Sequence, residues 1–177
     1  MLQINHMAAV FRLRPCPEIG FSGDWRSLMK DLLSKRSFAC FKLRCGGLEA
    51  SAFPSPEQVA FVIVACRDAG VPLKFTAGLH HPLRHFNAEA QTKMHGFINL
   101  FVAGVLAHAR KLSEQQIQTI IEEEDAADFR FDDRGLRWKD WSADLEEIGA
   151  ARTRVLSFGS CSFDEPRDDL RKLGWLP

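Results

Sequence analysis

Four short segments alternate apolar and polar residues with a period of two, and nothing else in the chain restricts its fold as much. In "FRLR" (11–14), Phe11 and Leu13 share one side, opposite Arg12 and Arg14. In "FKLR" (41–44), Phe41 and Leu43 oppose Lys42 and Arg44. In "KFTAGLH" (74–80), Phe75, Ala77 and Leu79 oppose Lys74, Thr76, Gly78 and His80. In "RVLSFGSCSF" (154–163), Leu156 and Phe158 oppose Ser157, Gly159 and Cys161. Period two is the signature of a strand, whose successive side chains leave on opposite faces. A doubly wound sheet is covered by helices on both faces, so its strands are apolar on both. These segments are apolar on one face only. They fit the wall of a barrel, with helices outside and a polar hollow inside.

The spacing supports units of one strand and one helix. Phe11 and Phe41 are 30 residues apart, and Phe75 follows 34 residues later, about the length of a strand plus its crossover helix. Helices are predicted between the segments. One covers 24–34 behind Asp24 as cap, with Trp25, Leu28, Met29, Leu32 and Leu33 on one face. Another runs from Ser55 to a Gly70 stop, with Pro56 in its first turn. Further on, 92–112 reads as one long buried helix, and Ser113 caps a helix to about 124. A hairpin turns at 133–135, a short helix spans about 142–150, and a terminal helix follows Asp164. The expectation is an α/β chain forming a single domain over 1–177. It has four strand–helix units with parallel strands, half of a TIM-like (β/α) barrel, and an insertion at about 113–150 before the last unit. Half a barrel leaves open strand edges, so a homodimer is expected.

Charge and composition exclude some classes. Lys plus Arg and Asp plus Glu both number 23, so no overall basic field draws the chain to nucleic acid. The longest apolar run, "GFINLFVAGVLA" (96–107), is short of the roughly 20 residues a membrane helix needs. The N-terminus lacks the charged and apolar regions of a signal peptide. The five cysteines include no CxxC pair, which reads as reduced thiols in a cytoplasmic protein.

In barrels, chemistry gathers where strands end. Those ends are Arg44-Cys45-Gly46-Gly47, Gly78-Leu79-His80-His81 and Gly159-Ser160-Cys161-Ser162. Glycines admit a ligand close to the backbone. The inward faces carry Arg12, Arg14, Lys42, Arg44 and Lys74 and no carboxylate. Such cations need acids such as Glu18 and Glu49, a partner chain, or a bound anion. The expected ligand is a small phosphate- or carboxylate-bearing metabolite, with no cofactor. It would be held by Lys42, Arg44, Gly46, Gly47, Thr76, Gly78, His81, Ser157, Gly159 and Ser160. His80, a histidine at a strand end, is the expected acid or base, and Lys74 is a second catalytic candidate. No histidine is placed by sequence beside Cys45 or Cys161, which leaves a thiol nucleophile weakly indicated. A metal-dependent hydrolase using His80, His85 and His95 is an alternative, although H-x4-H is not the spacing of a helical zinc motif. A non-catalytic assembly domain is another. His95-Gly96 and Asn99 at a helix start offer a further place for an anion.

Four motifs taken together, "FKLRCGG", "KFTAGLHHP", "HGFINLF" and "SFGSCSFDEPRDDLRKLGWL", resemble the C-terminal half of a family of uncharacterised bacterial TIM-barrel-like proteins. The resemblance covers roughly residues 38–176. It implies a barrel-type fold and no particular reaction, and the chain carries fewer units before residue 38 than a full barrel would.

Overall fold

The structure is a computed structural model that describes residues 15–35 and 37–177. The first predicted strand, with Arg12 and Arg14, lies outside the described residues.

Helix α1 (Trp25–Lys35) leads to strand β1 (Phe41–Arg44). Helix α2 (Pro56–Ala69) has the caps its sequence announces. Ser55 Oγ accepts from the Gln58 N–H, the Gln58 side chain returns the contact, and Gly70 closes the helix in the left-handed conformation. Strand β2 (Leu73–Thr76) then pairs parallel to β1, with Lys42 opposite Lys74 and Arg44 opposite Thr76. The predicted alternation holds here: Phe41, Leu43, Leu73 and Phe75 are buried, and Lys42, Arg44, Lys74 and Thr76 are not.

The rest overturns the half-barrel expectation. Among the described residues, the parallel sheet has two strands, and two small antiparallel sheets complete the set. Residues 92–94 are not helical. Strands β3 (His85–Asn87) and β4 (Thr92–Met94) form a short hairpin, and helix α3 (Phe97–Arg110) begins after it. Helix α4 (Glu114–Glu122) carries a Ser113/Gln116 capping box. Strands β5 (Phe129–Asp132), β6 (Gly135–Trp138) and β7 (Trp141–Asp144) make a three-stranded meander leading into helix α5 (Leu145–Arg152).

The fourth expected strand is an irregular segment. It meets β2 by one parallel bridge, Leu73 with Val155. Val155 is buried, whereas Leu156, the residue expected to face the core, is among the exposed apolar residues. Gly104 leaves room for the branched Val155 side chain, because a Cβ there would lie 2.9 Å from it. Helix α6 (Asp164–Lys172) ends the chain, and none of its residues is buried.

The edges of the parallel pair are covered within the chain. The Ala39 and Lys42 N–H groups donate to the Pro15 and Pro17 carbonyls. On the far side, Leu73 and Phe75 exchange hydrogen bonds with Arg154, Leu156, Ser157 and Gly159. Open edges were the basis for expecting a dimer, and that basis is gone. The core lies between this pair and helices α2, α3 and α4, with Ile63, Leu100, Leu106, Ile117, Ile120 and Ile121 fully buried. Among the described residues, no helix is long and apolar enough to cross a membrane. Cys16 and Cys40 form a disulfide, contrary to the expectation of five reduced thiols. Cys45, Cys66 and Cys161 are free.

Candidate functional site

The site grows from the end of β2. After Thr76 the backbone turns sharply, with Ala77 at φ 63° and Gly78 at φ 70°. A side chain at Gly78 would meet the Gly46 Cα at 2.9 Å, and one at Gly46 would meet the Phe53 ring at 2.6 Å. Gly47 is closed by Ala52, 2.7 Å from where its Cβ would stand. Gly46 and Gly78 therefore serve the close crossing of two loops, and Gly47 a tight contact within one of them, rather than a ligand cradle. Gly159 is open, with its N–H on the Phe75 carbonyl.

Because β2 has ended, His80 and His81 are not forced onto opposite faces. The residues after them are fixed to the start of α3: the Phe97 N–H donates to the His81 carbonyl and the Ile98 N–H to that of Pro82. The Pro82 carbonyl lies 2.3 Å from where a Cβ on Gly96 would stand, which only glycine allows. The N-terminus of α3 is thus filled by the chain itself. Asn99 is likewise consumed. Its Oδ1 accepts from the Arg84 N–H at 2.9 Å, and its Nδ2 donates to the Ile120 and Glu123 carbonyls. The anion site expected at His95-Gly96 and Asn99 is a packed structural joint.

From this fixed base both histidines reach α6. His80 Nδ1 donates to Glu165 Oε2 at 3.1 Å, and His81 Nδ1 donates to Asp169 Oδ2 at 2.5 Å. Cys161 Sγ, from the loop before α6, lies 3.4 Å from His80 Nε2 and 3.8 Å from Nδ1. Ser160 Oγ stands 3.4 Å from His80 Nδ1 and accepts from the Ser162 N–H. The Glu165 contact places the imidazole proton on Nδ1, leaving Nε2 as the acceptor nearest the thiol. Cys161, His80 and Glu165 therefore have the order of a nucleophile, its base and the group that orients the base.

Cys161 differs from the other free thiols. Burial pushes the thiols of Cys45 and Cys66 far above the ordinary cysteine range. Cys161 is exposed. Sequence reasoning set Cys161 aside because no histidine stood near it along the chain. His80 is 81 positions away, and the cue that survives is that both lie where extended segments end.

The expected anion ligands are less gathered. Lys42 pairs with Glu18 at 3.0 Å, so one cation is neutralised within the chain. Arg44 is exposed, with its Nε on the Gly46 carbonyl. Thr76 Oγ1 donates to the Leu43 carbonyl. Ser157 is exposed and uses its carbonyl for the Phe75 N–H. Lys74 is half-buried opposite Lys42 and forms no ion pair among the described residues.

The histidines proposed for a metal each find separate partners. His85 Nδ1 donates to the Leu83 carbonyl, and burial lowers its pKa. His95 is enclosed: Nε2 donates to the Pro54 carbonyl at 2.7 Å and Nδ1 faces Arg84. Burial first, then the nearby Arg84 charge, bring its pKa down to about 4 despite the Pro54 contact. Among the described residues, no group of three or more His, Cys, Asp or Glu side chains is placed to hold a metal ion.

No protein-family model, curated protein or solved structure matches this chain. The likeness to TIM-barrel-like proteins is thereby neither supported nor opposed, and the site must be read from its own geometry.

Proposed function

We propose that the chain is a thiol enzyme acting on a small phosphate- or carboxylate-bearing acyl compound, with Cys161 as nucleophile and His80 as general base. One observation carries this reading: Cys161 Sγ stands 3.4 Å from a His80 whose other nitrogen is held by Glu165. His80 Nε2 takes the thiol proton as sulfur attacks the carbonyl carbon, and the C=O electron pair moves onto oxygen. When that pair returns, the leaving group departs with the proton from His80, and a thioester remains on Cys161. Water then attacks the thioester and gives its proton to His80. The acid leaves, and the thiol regains its proton. Glu165 steadies the imidazolium through Nδ1. The sulfur lies close to both ring nitrogens, at 3.4 and 3.8 Å, rather than in line with Nε2, a looseness common before substrate binds.

The anion preference rests on Lys74 and Arg44, which share the polar face of β1 and β2 and form no ion pair among the described residues, Glu18 there being taken by Lys42. The test is intact mass after incubation with small activated esters bearing a carboxylate or phosphate. An adduct of acyl mass on Cys161 is expected. It should be absent in Cys161→Ala and form at least about 100-fold more slowly in His80→Gln. No adduct with any ester, or equal rates in His80→Gln, would refute the reading.

A cytoplasmic setting is part of this proposal, since it keeps Cys161 reduced, and the Cys16–Cys40 disulfide is the observation against it. Counting thiols in unfolded, freshly isolated protein decides between them. Five titratable thiols fit a reducing compartment, and three, the free set of Cys45, Cys66 and Cys161, fit an oxidising one.

A further inference from the structure

Helix α6 buries none of its own residues, yet it carries Glu165 and is preceded directly by the loop that holds Cys161. Leu170 and Trp175 pack only partly against the core. Its polar attachments therefore matter more than usual. Two consecutive residues supply them, and they grip carboxylates one helical turn apart: His80 on Glu165 and His81 on Asp169. The gripping side is rigid, since the His81 and Pro82 carbonyls are tied to the first N–H groups of α3.

We infer that Asp169, acting through His81, is a positioning residue for the Cys161–His80 pair, an inference that rests on the thiol reading. The two latches differ in what they can be asked to do. His80 must take up and release a proton in each turnover, so its hold on Glu165 changes strength during the reaction. The His81–Asp169 latch takes no part in proton transfer and keeps α6 in place meanwhile. Its surroundings fit a permanent contact. Lys172 holds the other oxygen of Asp169 at 2.9 Å, and the His85 ring meets His81 edge to face at 4.4 Å. Asp169 loses some hydration by burial, and His81 and Lys172 nonetheless hold its carboxyl below the ordinary range. Glu124, which lines the same groove, is occupied by Lys93.

The test follows Cys161 alkylation by iodoacetamide across pH in full-length wild type, His80→Gln, Asp169→Asn and His81→Gln. Arg171→Ala serves as a control on the same helix that touches neither histidine. Amide hydrogen exchange is measured on each protein. Asp169→Asn and His81→Gln should slow alkylation at neutral pH about tenfold and move the pH profile toward that of His80→Gln. They should speed exchange in 164–172 without changing it in α2 to α4. Arg171→Ala should match wild type. Asp169→Asn with wild-type rate and profile would overturn the inference and leave the thiol reading standing. A uniform slowing with an unchanged profile would also overturn it, since that marks general loosening. A His80→Gln profile identical to wild type would sink the thiol reading and this inference together.

Discussion

His95 sits at the start of α3 with its Nε2 proton on the Pro54 carbonyl and its Nδ1 turned to Arg84. In that enclosure it stays neutral in the folded chain until about pH 4, whereas the unfolded chain protonates it near 6.5. Between those values the unfolded state binds more protons, so stability falls as pH drops from 6.5 to 4 and does not change on this account above 7. The window is worth about 3 kcal/mol. Urea unfolding of His95→Gln at pH 7 and pH 5 should show a smaller acid loss than wild type. Asn99 makes a second prediction at this scale. Asn99→Ala strips the Glu123 carbonyl of its Asn99 donor and the Arg84 N–H of its acceptor, and leaves the Ile120 carbonyl with the Glu123 N–H alone. Two half-buried backbone groups lose a partner, so a loss of about 2 kcal/mol in urea unfolding is expected. At residue scale the sequence shows that His95 and Asn99 are unusual, but not that burial has already used their polar atoms. His80 was legible as a candidate because it follows a strand end, but its neighbours Cys161 and Glu165 were not.

Elements with strong local signals are legible. Ser55-Pro56 with Gln58 and Gly70 announces α2, and Ser113 with Gln116 announces α4. Those caps act within a few residues, so no distant contact can hide them. Ser55→Ala should cost about 1 kcal/mol, seen in chemical unfolding. Elements set by partners are not legible. Thr92–Met94 carries no turn signal of its own and becomes a strand only because His85–Asn87 lies alongside. The segment at 154–159 shows the same limit in register. The alternation points to Leu156 as the inward residue, but the space beside Gly104 accepts Val155 instead. A period-two pattern fixes faces only while the pairing stays regular, and here it slips by one residue: Leu73 bonds to Arg154 and Leu156, but Phe75 to Ser157 and Gly159.

On the scale of the whole chain, one-faced alternation in β1 and β2 was readable, and the step from there to half a barrel was not sound. It assumed that every alternating segment becomes a full strand in one sheet. The disulfide also escaped, since no spacing rule joins Cys16 to Cys40 across a separation of 24 residues. It closes the loop that brings Pro15 and Pro17 beside β1, and its reduction should lower stability by about 3 kcal/mol, read as a lower Tm with reductant. The candidate site is a tertiary product: His80 comes from the end of β2, and Cys161 and Glu165 from the last turn of chain before and within α6. The most direct measurement is the second-order rate of Cys161 carbamidomethylation at pH 7 in wild type and His80→Gln, with Cys45 and Cys66 silent by burial. A wild-type rate at least tenfold faster is predicted. Equal rates would mean that His80 and Cys161 are neighbours without a shared proton.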